Sequence, residues 1–149
     1  MITPKSLARK SAVQALYQWQ LTGCNLSEIE RQFVEEHGIG KKELPYFNEL
    51  LHSIPKLLNQ LDEALGEFLD RPIDQVDPVE RAILRVGAFE LLEKPEIPYK
   101  VAVNEGINLA KEFGATQSHK FINGILDRIA KKHREAEFNL NRKKAKPAT

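Results

Sequence analysis

The sequence predicts an all-α fold, a single domain of about six to seven helices. Apolar residues recur at spacings of three and four along most of the chain, and no run alternates with period two. Helix-opening pairs, Thr3-Pro4 and Asp77-Pro78, stand directly before two of these stripes. With 149 residues, 42% hydrophobic and 29% charged, the chain can bury one core, and its apolar stretches are too short for a bilayer span.

Thr3 is expected to cap a first helix that begins at Pro4 and stops at Gly23, with Ala8, Ala12, Ala15, Leu16 and Trp19 facing the core and Lys5 and Arg9 on its edge. Ser27 and Glu30 form a capping box for a short second helix that carries Ile29 and Phe33 and ends near Gly38. After Leu44-Pro45, the residues Phe47, Leu50, Leu51, Ile54, Leu58, Leu61, Leu65 and Phe68 keep one helical phase across Pro55, which predicts a kinked helix or two collinear ones. Asp77 caps the next helix, with Pro78 first and Glu80 reaching back. Its residues from Ala82 to Leu92 are apolar nearly all round, the mark of a central buried helix, and Gly87 predicts a tight crossing. Beyond Pro95 and Pro98, Val101, Ala102, Ile107, Ala110 and Phe113 make a helix that ends at Gly114. Phe121, Ile122, Ile125, Leu126 and Ile129 make a last one, entered through Thr116 or Ser118. The pattern dissolves after Arg134, so the reading is a helical domain over 1–134 and a basic, disordered tail over 135–149.

The net charge of +1 conceals a polarity. Residues 131–149 hold seven basic side chains against Glu135 and Glu137, a balance of +5, so the other 130 residues carry −4. The start of the chain lacks the unbroken apolar region of a secretory signal, and the expected location is cytoplasmic. Cys24 has no partner for a disulfide and no flanking base, and four scattered histidines suit no zinc site. Phosphate-loop, dinucleotide, zinc-protease and serine-elbow motifs are missing, so the reading is a non-enzyme with no catalytic residue, metal or cofactor.

Binding chemistry has more support. Lys5, Arg9 and Lys10 place cations on the first helix, and Ser118, His119, Lys120 and Phe121 open the last, where free backbone amides favour anions. Solubilising lysines and a core Phe121 are the plainer alternatives. Asn104, Glu105 and Asn123 interrupt apolar helices and read as a buried hydrogen-bonded network. Arg81 and Arg85, with Glu80, read as the exposed side of the central helix, either a solvated face or a partner edge.

Four blocks carry a resemblance: Ala-Arg-Lys-Ser-Ala-Val-Gln-Ala-Leu-Tyr-Gln-Trp at 8–19, Pro-Val-Glu-Arg-Ala-Ile-Leu-Arg at 78–85, Ile-Pro-Tyr-Lys-Val-Ala-Val-Asn-Glu at 97–105 and Ser-His-Lys-Phe-Ile-Asn-Gly-Ile-Leu-Asp at 118–127. Their content and order resemble the NusB family of bacterial transcription antitermination factors. The resemblance implies two packed helical subdomains and a non-enzymatic role with NusE, a ribosomal small-subunit protein. Together the two hold boxA RNA of nascent ribosomal RNA leaders within the elongating RNA polymerase complex. It further implies RNA contacts at Lys5, Arg9, Ser118, His119, Lys120 and Phe121, to which the cationic edge read above adds Lys10, a NusE-facing surface at Phe68, Glu80 and Arg81, and leaves a homodimer open. Where some relatives carry several arginines, this chain has Lys5-Ser6-Leu7, and Gly106 replaces a familiar alanine with no functional meaning expected. The alternative function is a helical protein-interaction module without direct RNA specificity. A methyltransferase fusion, known for similar modules, finds no room in 149 residues.

Overall fold

Thr3 opens α1 (Pro4–Thr22) as expected: its Oγ1 accepts from the Ser6 amide at 3.0 Å, and Gly23 closes the helix in the left-handed region at φ 66°. α2 (Leu26–Glu36) is capped by Asn25, whose side chain accepts from the Ser27 amide at 2.8 Å, two residues earlier than the capping box predicts. Glu30 is thereby free to meet His52 across the gap to α3 at 2.6 Å. The long stripe is two helices, α3 (Leu44–Lys56) and α4 (Leu58–Gly66), divided at Leu57 just after Pro55. Phe68 lies past the end of α4, in a turn that leads through a single 3-10 turn, Ile73–Gln75, to α5 (Pro78–Glu93). α6 (Tyr99–Phe113) and α7 (Ser118–His133) follow, and α8 (Glu135–Ala145) ends the described chain. The computed structural model describes residues 2–145, and over these it is all-helical.

α5 is central. It packs on α1 and α3 on one side and on α4, α6 and α7 on the other, so α1–α3 and the later helices form two groups around a shared core. Every residue from Ala82 to Leu91 is buried. Gly87 and Gly106 both face Leu126: a Cβ built on either would lie 2.7 Å from its methyls. Gly106 is thus a spacing residue that lets α5, α6 and α7 converge on one leucine, a packing role that the sequence did not reveal.

Two further expectations change. Asp77 accepts from the Val79 and Glu80 amides, but Glu80 does not reach back. The region after Arg134, expected to be disordered, holds α8 through contacts that no apolar period reveals. Phe138 packs on Tyr99 with ring centroids 5.3 Å apart, and Glu137 accepts from the Tyr99 amide at 2.9 Å, serving as the cap that α6 lacks locally. Arg134 donates to the carbonyls of Glu90, Leu91, Lys94 and Ile97 at 2.8–3.1 Å and so closes the end of α5. The last part of the expected tail, 146–149, lies outside the described residues.

Candidate nucleic-acid interface

The first turns of α1 set the cationic edge, and they divide it. Lys5 is exposed, with Nζ 5.2 Å from the centre of the Tyr46 ring. Arg9, one turn on, is only 3% exposed: its Nε meets Glu90 at 2.7 Å and its Nη1 meets Glu105 at 3.1 Å. The expectation that Arg9 lines the edge as a phosphate clamp therefore fails, because two carboxylates already hold its guanidinium inside the protein. Lys10 is half exposed and paired with Glu112 at 2.6 Å.

Beneath the edge lies a polar network that joins four helices. Tyr46 of α3 donates to Glu90 of α5, Arg9 of α1 bridges Glu90 and Glu105 of α6, and Ser6 donates to Glu105 at 2.6 Å. Burial pushes the Glu90 carboxyl above its ordinary range although Arg9 pulls it down, and one of its oxygens is buried without a partner. Burial, with the adjacent Glu90 charge, keeps the Tyr46 phenol protonated far above its usual value. Glu105 takes the expected place in a network, but Asn104 and Asn123 are exposed. The network's work is positional: it fixes the start of α1, and with it Lys5, against α5 and α6. Glu90 was detectable as the one acid in the apolar run from Ala82 to Leu92; Tyr46 and its role gave no signal.

The second cluster forms at the start of α7. Ser118 is buried and does not cap its helix; Gln117 occupies that position with no side-chain bond, and the Ser118 hydroxyl donates to Glu80 at 2.8 Å. Lys120 is exposed and His119 half exposed. Phe121 is half buried against the core with the Arg71 guanidinium 5.1 Å above its ring, so the outward face is already occupied by a cation. The surface of α1 offers a more accessible ring: Tyr17 is 38% exposed in an apolar groove of about 550 Å³ that Leu21, Val79 and Phe113 also line.

Of the expected partner residues, Phe68 is half buried against the core. Glu80 is tied to Ser118. Arg81 is half buried with its Nε enclosed and unpartnered. Arg85, expected on the exposed side, is 6% exposed and held by Asp62 at 2.8 and 2.9 Å and Gln20 at 2.8 Å. Its burial follows from facing α4, where Asp62 supplies the countercharge. The Glu80–Ser118 bond brings the expected partner surface and the expected RNA surface into direct contact.

No helix among the described residues is long and apolar enough to cross a membrane. A family model for the NusB family matches residues 6–131. The transcription antitermination protein NusB of Nitrosococcus oceani is 54% identical over 138 residues, 93% of each chain. That of Shewanella halifaxensis is 49% identical over 127 residues, 85% of this chain and 94% of the relative. Among solved structures, T. maritima NusB superimposes with a TM-score of 0.80 at 31% identity, over 93% of this chain and 99% of that one. A chain from a crystal structure of antitermination factors NusB and NusE in complex with double-stranded RNA does so with a TM-score of 0.79 at 30% identity, over 89% and 99%. With its quoted blocks, its helical order and nearly its whole length matched, the chain belongs to the NusB family.

Proposed function

We propose that this chain is a transcription antitermination factor that pairs with NusE and holds boxA RNA of ribosomal RNA leaders in the elongating RNA polymerase complex, so that transcription continues past terminators. The observation that carries the reading is the 54% identity, over 93% of both chains, to a transcription antitermination protein. The likeness to a chain crystallised with NusE and RNA supports the partnership. It is a binding role in the cytoplasm, not catalysis.

The geometry refines the site. Lys5 and Lys120 are the exposed phosphate contacts, Lys10 joins them on release from Glu112, and Arg9 and Ser118 act from inside by positioning α1 and α7. His119 lies beside Lys120, and Tyr17 offers a ring for base stacking where Phe121 is covered by Arg71. NusE takes the surface of Phe68, Glu80 and Arg81.

So small a cationic edge predicts weak RNA binding by the chain alone and tighter, more selective binding with NusE. Titration of boxA and scrambled single-stranded RNA, with and without NusE, tests this. Equal affinities in all four measurements, with little response to salt, would favour the protein-interaction module without RNA specificity. Sedimentation of the free chain reads whether a homodimer competes for the same edge.

A further inference from the structure

α8 doubles back over α7. Phe138 of α8 and Asn123, Gly124, Asp127, Arg128 and Lys131 of α7 line one open groove of about 480 Å³. The α7 residues are all exposed and continue a single helical stripe that begins at Lys120, inside the candidate RNA edge. Space beside Gly124 is open, so a ribose or phosphate can approach the backbone there. Arg128 and Lys131 enter no ion pair among the described residues, whereas the neighbouring Lys132 is spent on Glu67 at 2.5 Å; Asp127 is the one opposing charge in the groove. α8 begins at Glu135, beyond residue 131, where the family match ends.

We infer that the groove between α7 and α8 is a track for single-stranded RNA that flanks the boxA element, held by phosphate contacts without regard to sequence. The inference rests on the RNA reading above. From Lys120 to Lys131 the stripe runs about 16 Å at about 1.5 Å per residue, room for about five stacked nucleotides at about 3.4 Å each. The lining is polar with one ring, which suits a sugar-phosphate strand and not a lipid surface or an apolar helix. In this arrangement Arg128 and Lys131 restore cationic contact that the first helix forfeits by burying Arg9 and pairing Lys10 with Glu112.

The test compares boxA RNA alone with boxA RNA extended by about ten unrelated nucleotides on the 5′ or the 3′ side, over a salt series, using the full chain with NusE. One extension is expected to tighten binding severalfold and to steepen the slope of log affinity against log salt by about 0.7 per added phosphate contact. The variant Arg128→Gln with Lys131→Gln is expected to abolish that gain and leave the short RNA bound as before. If neither extension adds affinity, or if the variant keeps the gain, the track is wrong while boxA preference still stands. If boxA and scrambled RNA bind alike but the extension gain is present and lost in the variant, the boxA reading fails and the track survives. Binding to phosphatidylserine vesicles that the variant loses, with the RNA gain intact, would assign Arg128 and Lys131 to a membrane and overturn the inference.

Discussion

Lys5 and Arg9 stand one turn apart on α1 and look equivalent in the sequence, yet one faces solvent and the other is enclosed by Glu90 and Glu105. Their substitutions should therefore fail in different ways. Arg9→Ala leaves Glu90 buried without its countercharge and is expected to cost about 3–5 kcal/mol of stability. Its folded fraction should keep the salt slope of RNA binding, because no phosphate contact is lost. Lys5→Ala should leave the melting temperature nearly unchanged and flatten that slope by about 0.7. Denaturation and salt-dependent titration on both variants separate the two roles; a flattened slope in Arg9→Ala would return Arg9 to the RNA edge. Glu90 adds a dependence on pH. Because burial raises its pKa in the folded protein above the ordinary value of 4.5, the native state holds this proton more firmly than the unfolded chain does. Its contribution is therefore fully present below that value and is lost as pH rises through the folded pKa. Glu90→Gln removes the dependence, so the stability of the variant relative to the parent should increase as pH rises from about 4 and then level off. Denaturant curves across that range would show it, and a difference that stayed flat would place the folded pKa at the unfolded one. Charge inside an apolar run marked Glu90 as unusual; which cation would be drawn in to meet it depends on a contact between α1 and α5 that no local pattern encodes.

Caps and stripes made most helices legible, since the chemistry of Thr3, Gly23 and Asp77 is local and acts within a few residues of the helix end it controls. α8 was illegible for the opposite reason. Its anchors are Phe138 on Tyr99, Glu137 on the Tyr99 amide and Arg134 on the carbonyls that end α5, contacts between segments far apart in sequence. Gly106 likewise reads as a weak point in a helix until Leu126 is seen against it. Gly87→Val and Gly106→Val should each cost about 1–3 kcal/mol through overpacking. Since both crowd the same leucine, their effects should not add, and Leu126→Ala should recover part of either loss. Gly124 offers a control in the next helix: nothing stands near its missing Cβ, and Gly124→Ala should stabilise by up to about 1 kcal/mol. Thermal melts of the series check the convergence, and strict additivity of the two valines would mean that Leu126 is not the shared obstacle.

At the scale of the molecule, the two surfaces assigned to NusE and RNA meet at one hydrogen bond, from the Ser118 hydroxyl to Glu80. Glu80 stands at the start of α5, which runs through the core, and Ser118 at the start of α7, which carries Lys120. A partner that engages Glu80 thus acts directly on the group that orients the turn proposed to face RNA. Coupling between sites is reciprocal, so NusE must tighten RNA binding by the same factor by which RNA tightens NusE binding, and such factors commonly fall in the range of about 5–150. Three variants trace its route. Glu80→Lys reverses the charge and should weaken NusE binding and abolish the coupling together. Glu80→Gln keeps an acceptor for Ser118 and should weaken NusE binding while part of the coupling remains. Ser118→Ala removes only the link: the RNA-free affinity for NusE should stay within about twofold, under about 0.5 kcal/mol, and the coupling factor should fall toward one. Calorimetric titrations around the full cycle, protein with NusE, with RNA and with both, yield each factor twice by independent routes. Full coupling in Ser118→Ala would show that NusE and RNA assist each other by touching across the shared surface and not through the α5–α7 junction.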